Sequence, residues 1–207
     1  MALGTVLASY RPSPASTGNS SQALSSQTIV SSALYARFVV AGTQTATTRV
    51  CAINSDANTG DLISLNLLTI GPDTFRADTK QSGASYGAGV PAGTIAAGDL
   101  VELIATLDTV AKTIVTTQSI NGATSTVGSS AAITTIGTTW GGGSGLLQVN
   151  RLSNVSALGA QSIQGLCFTN DATATLADFR AWYGIADDDM GWQPSAAPQD
   201  LSVVSVW

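Results

Sequence analysis

The chain of 207 residues contains no histidine and a single glutamate, Glu102. Without histidine, the usual Ser-His-Asp and Cys-His nucleophile arrangements and most zinc sites are excluded. The lone glutamate weighs against polysaccharide cleavage. That chemistry needs two carboxyl groups, one to protonate the leaving oxygen and one to attack or to activate water. Asp99 and Asp108, the nearest acidic residues, do not stand two positions from Glu102 on one strand face. Glu102 is therefore expected to face solvent between strand ends.

Charge is scarce as well. Charged residues make up 10% of the chain, against roughly 25% in an average soluble domain. The net charge is −5, and the eight Lys and Arg residues are scattered from Arg11 to Arg180. With no basic stripe, nucleic acid is set aside as a partner. No apolar run approaches the roughly 20 residues of a membrane-spanning helix. The opening "MALGTVLASYRP" lacks a basic n-region and a cleavage site, so no secretory signal is expected and the chain reads as complete from Met1. Only two cysteines occur, Cys51 in "TRVCAIN" and Cys167 in "IQGLCFTN". Both are read as reduced, buried small hydrophobes; a disulfide would require those strands to be neighbours.

What is abundant is Ser, Thr, Ala and Gly, arranged as short strand-like runs between turn signals. Residues 1–32 read as an arm, since "RPSPASTGNSSQALSSQ" has linker composition. Candidate strands then follow at 33–41, 48–53, 61–69, 74–80, 99–107, 113–120, after Asn121-Gly122, at 145–153 and at 162–169. Residues 81–98, "QSGASYGAGVPAGTIAAG", read as a loop. In 100–107, Val101, Leu103, Ala105 and Leu107 share one face. Leu100, Glu102, Ile104 and Thr106 share the other, which is too apolar to be fully wet and fits packing under a loop or against a partner. The tail 187–207 begins with three aspartates and closes on the alternation "LSVVSVW", which must pair with its own sheet or with a neighbour.

One helix signal interrupts this pattern. Thr175 is placed to cap it, and Asp178 three residues on can reach back to the cap's N–H. Leu176, Phe179 and Tyr183 fall on one face, and Gly184 supplies a stop.

Four stretches resemble the concanavalin A-like jelly roll, specifically its laminin-G-like branch. They are "YARFVVAG", "GDLVELIATLD", "TIVTTQSINGA" with its Asn-Gly turn, and "SIQGLCFTNDATATLADFRAWYGIA". The resemblance covers residues 33–186. It implies an all-β antiparallel sandwich whose small helix covers one open end, flanked by extended terminal arms. It implies little about function, because this fold carries lectins, adhesion modules, glycanases and structural domains.

Binding candidates come from side-chain chemistry. Sugar rings stack on aromatic faces, and Tyr86 and Trp140 lie in glycine-rich stretches, with Asn58 in a polar turn able to hydrogen-bond hydroxyls. The turn "NSDANTGD" offers Asp56, Asn58 and Asp61 as oxygen ligands for calcium, the one cofactor the sequence suggests; a solvated turn accounts for the same residues. The arms and low charge suggest a non-enzymatic virion protein of a tailed bacteriophage: a capsid decoration protein, head fibre or tail-fibre module. Its expected partners are further copies with exchanged arms, the major capsid protein and host-surface polysaccharide. A free carbohydrate-binding adhesion module is the second reading, and a polysaccharide-cleaving enzyme the third.

Overall fold

The computed structural model of the chain describes residues 3–10, 20–23, 27–28, 31–40, 48–54, 62–68, 73–81, 84–93, 95–108, 110–128, 133, 139–140, 146–149 and 161–185. Along the chain they form β1 (Val6–Tyr10), β2 (Ser20–Ala23), β3 (Gln27–Thr28), β4 (Ser31–Val40), β5 (Thr48–Asn54), β6 (Leu62–Leu68) and β7 (Asp73–Gln81). There follow β8 (Ala84–Gly93), β9 (Leu100–Asp108), β10 (Thr113–Ile120), β11 (Ala123–Gly128), β12 (Thr139–Trp140), β13 (Leu146–Val149), β14 (Gln161–Thr169) and the helix α1 (Leu176–Tyr183).

Two six-stranded sheets result, ordered β1-β14-β4-β9-β10-β11 and β2-β13-β5-β6-β7-β8, beside a two-stranded pair of β12 and β3. The pairings within them are antiparallel. Period-two alternation decides which face meets which. Leu34, Ala36, Phe38 and Val40 of β4 and Val101, Leu103, Ala105 and Leu107 of β9 point inward. There they meet Ile63, Leu65, Phe75 and Ala77 of the second sheet. The Phe38 and Phe75 rings touch edge to face, with centroids 6.0 Å apart. Burial of each such large side chain stabilises the sandwich by about 1.5–3 kcal/mol.

One polar side chain joins the two sheets inside this core. The Thr116 hydroxyl on β10 accepts from the Ala77 N–H at 2.9 Å and donates to the Ala88 carbonyl. Ala77 and Ala88 oppose one another in the β7–β8 ladder. The hydroxyl of the facing sheet thus satisfies a donor and an acceptor from that pair, as buried backbone groups require.

The two-residue connection from β10 to β11 is the one the sequence demands. Asn121 and Gly122 have φ of 48° and 89°, the left-handed pair of a type I′ turn. Asn121 also accepts from the Leu100 N–H and donates to Asp99, tying this turn to the start of β9.

Three expectations change. Residues 81–98 are not a loop, because Ala84–Gly93 form β8 at the edge of the second sheet. Within the segment read as an arm, Val6–Tyr10 form an edge strand of the first sheet, paired with β14. The helix does not close an end of the sandwich but lies across the outer face of the first sheet. Ala33 and Tyr35 of β4, Ile104 of β9 and Cys167 of β14 alternate with core-facing residues, and they pack instead with Leu176, Phe179, Tyr183 and Ile185. Tyr35 and Phe179 stack with centroids 4.6 Å apart and planes 6° apart. The tail 187–207 lies outside the described residues.

The helix itself forms as its sequence predicts. The Thr175 side chain accepts from the Asp178 N–H, the Asp178 carboxylate accepts from the Thr175 N–H, and Gly184 ends the helix at φ 71°. Such a capping box is worth about 1 kcal/mol.

Candidate functional site

Two polar clusters arise from alternation, one closed and one open. The closed cluster lies beneath α1. Tyr35 and Arg37 are two positions apart on β4 and therefore share its outer face; Arg37 pairs in register with Glu102 on β9. The Tyr35 hydroxyl donates to Glu102 at 2.8 Å, and Arg37 Nη1 lies 3.2 Å from the same carboxylate. From the helix, Arg180 Nε donates to Glu102 at 3.0 Å and its Nη2 reaches the same oxygen. A bulge in β14 leaves Gln164 without a register partner, and its side-chain oxygen accepts from Arg37 Nε at 2.9 Å. Bulges re-aim side chains in this way.

Glu102 is therefore 3% exposed and does not face solvent as expected; the helix covers it, and two guanidinium groups make that burial tolerable. Burial opposes its ionisation. The Arg180 hydrogen bonds, the Tyr35 hydroxyl and the charges of Arg180 and Arg37 outweigh that and hold the carboxyl below its usual range. Burial, and next the Glu102 charge, push the Tyr35 phenol well above its usual value. Buried, ionised and held by groups from both β4 and α1, this carboxylate binds the helix to the sheet.

The open cluster lies on the outer face of β7 and β8. In "TFRADT" the residues Phe75, Ala77 and Thr79 point inward and are buried. Thr74, Arg76 and Asp78 point outward. Arg76 and Asp78 form an ion pair with side chains 39% and 24% exposed. Opposite them in register stand Gly89 and Gly87. A Cβ on Gly87 would overlap Arg76 Nε, Arg76 Nη2 and Asp78 Oδ1, so the pair lies flat across bare backbone. On the other side, Asn66 and Ser64 of β6 occupy the register positions opposite Arg76 and Asp78. The face thus offers guanidinium donors and a carboxylate acceptor above a floor without side chains.

Of the residues expected from sequence to bind a ligand, Tyr86 has a described side chain. Tyr86 is half-buried on β8 and packs against the sandwich core, not in a presented loop. Trp140 pairs with Gln27 through backbone in β12 and β3, and its side chain lies outside what is described. Asp56, Asn58 and Asp61 also lie outside the described residues. Among the described residues, no group of three or more His, Cys, Asp and Glu side chains could hold a metal ion, and no helix is long and apolar enough to cross a membrane. Arg76 and Asp78 went unnoticed in the sequence, although their spacing of two within an alternating strand already places them on one face.

No family model matches the chain, and no curated protein does. Solved structures do. NanB with Optactamide aligns at TM-score 0.53 and 12% identity, over 86% of this chain and 28% of the other. The native heptameric SAP-like pentraxin from Limulus polyphemus aligns at TM-score 0.50 and 11% identity, over 84% and 79%. The fold is a concanavalin A-like jelly roll. A Ruminococcus gnavus IT-sialidase CBM40 bound to alpha2,3 sialyllactose is also similar, at TM-score 0.49 and 11% identity over 81% and 98%. At such identities, the first two alignments show the fold alone.

Proposed function

We propose that the chain is a non-catalytic, lectin-like carbohydrate-binding module whose ligand lies on the outer face of β7 and β8. The observation that carries this reading is the Arg76–Asp78 pair laid across Gly87. Each sugar hydroxyl both donates and accepts, so a guanidinium beside a carboxylate complements it, and Gly87, with no Cβ, leaves the space in which that pair is held against the sheet. The absence of catalysis is supported by the closed, ionised state of Glu102, the sole glutamate, in a chain without histidine. A single sugar would bind at about millimolar strength, near −4 kcal/mol, so attachment requires many copies together.

The finer reading is a structural virion protein of a tailed bacteriophage that presents this face to host polysaccharide. Its support is compositional: low charge and linker-like flanks around one jelly roll. A glycan array probed with multivalent full-length chain, beside Asp78→Ala, tests the binding; absence of any glycan signal rejects it. Mass spectrometry of purified particles tests the virion assignment, and absence of the chain from them rejects it.

A further inference from the structure

We infer that residues 3–10 are an exchangeable strand, able to leave their own chain and fill the β14 edge of a second copy. These residues form an edge strand of the first sheet, so they can depart without displacing another strand. Their seat is built from residues much later in the chain. β1 has β14 as its one neighbour in the sheet, with Ala8, Ser9 and Tyr10 opposite Phe168, Cys167 and Leu166.

The strand's upstream end is held as specifically. The Gly4 N–H donates to the Asp171 carboxylate at 3.3 Å, and the Thr5 carbonyl accepts from the Asn170 N–H and the Thr169 hydroxyl. Val6 is buried in the cluster under α1, and Leu3 packs against it. A Cβ on Gly4 would stand 2.8 Å from the Asp171 Cβ, so the seat fits this backbone closely.

The following nine residues, "RPSPASTGN", contain Pro12 and Pro14 and no large apolar side chain. Proline fixes its own φ and keeps the preceding residue extended, so this segment favours reach over tight reversal. Fully extended it spans roughly 30 Å. Every contact named above is the same whichever copy donates the strand, so closed and exchanged forms differ only in linker entropy and in the concentration of copies. A tether of a few residues holds its segment at about millimolar effective concentration, which sets the crowding at which exchange competes.

The register supplies the test. Ser9 is opposite Cys167, and Cα atoms of directly opposed antiparallel residues are about 4.5–5.5 Å apart, within disulfide range. Full-length Ser9→Cys chain is refolded from about 10 μM to about 1 mM, mildly oxidised and run on a non-reducing gel, with Ser9→Cys/Cys167→Ser as control. The expected result is a cross-linked multi-copy fraction that rises about tenfold or more across this range and is absent from the control. Intrachain bridges at every concentration overturn the inference. If no bridge forms, light scattering on the unaltered chain decides. A mass that rises with concentration and returns to one copy in Gly4→Leu supports exchange. A constant single-copy mass, or a rise untouched by Gly4→Leu, overturns it.

Discussion

Arg180 on the helix grips Glu102 on β9 side-on, with Nε 3.0 Å from the Oε2 atom that Nη2 also contacts. This is the polar half of the attachment of α1, and the Tyr35–Phe179 stack is the apolar half. Removing one partner of a buried ion pair leaves the other charge uncompensated, at a cost of about 3–5 kcal/mol. Glu102→Ala, which strands the buried Arg37, is therefore expected to destabilise the fold by that order. Arg180→Ala is expected to cost less, since Arg37 and Tyr35 still hold the carboxylate. Urea titration of both variants checks the order; equal midpoints would contradict it.

Acid should loosen the same attachment. Burial opposes the charge on Glu102, yet its arginine and tyrosine partners hold its carboxyl below the usual value. A depressed carboxyl adds stability that is whole above the ordinary glutamate pKa of about 4.3 and fades as pH falls through the lower folded value. Asp178 and Asp171 are lowered as well, chiefly by the Thr175 and Thr173 hydroxyls, and lose their share in the corresponding range for aspartate. Melting temperature followed from pH 7 to pH 2 is expected to fall on acidification, less steeply in Glu102→Gln. Parallel curves for the two proteins would remove Glu102 from this role.

Thr116→Val keeps the shape of the core but takes away the hydroxyl shared by Ala77 and Ala88. An unsatisfied buried group costs about 1–3 kcal/mol. A loss of that size is expected by thermal melting, together with faster amide exchange at Ala77. A neutral substitution would mean that β7 and β8 close directly once the hydroxyl is gone.

Gly87→Ala separates binding from folding. The new Cβ meets the movable ends of Arg76 and Asp78, not backbone. The chain is expected to melt within about 1 kcal/mol of the parent, the ordinary size of a point-mutation effect, while array signal drops at least tenfold. Undiminished glycan binding would move the ligand off this face.

Much of the architecture was legible because burial enforces period two. Val101 through Leu107, the Asn121-Gly122 turn and the Thr175 cap were read from local chemistry and lie where that chemistry puts them. β8 was not legible: Ser85, Gly87 and Gly89 resemble a loop, and the missing side chain of Gly87 makes sense only once Arg76 and Asp78 lie over it. Glu102 was misjudged for a related reason. A carboxylate's burial depends on partners 65 and 78 positions away, Arg37 and Arg180, and spacing within its own strand carries no trace of them.

The cysteines occupy different interiors. Cys51 lies in the sandwich core, and Cys167 lies beneath the helix. Both thiols are free, and burial pushes both far from ionisation, so neither reacts until its own surroundings open. The molecule thus contains two clocks. Under a thiol reagent, the labelling rate of Cys167 times the lifting of the helix layer, and that of Cys51 times the parting of the sheets. The ratio of the two rates measures how far the outer layer can open while the sandwich stays shut.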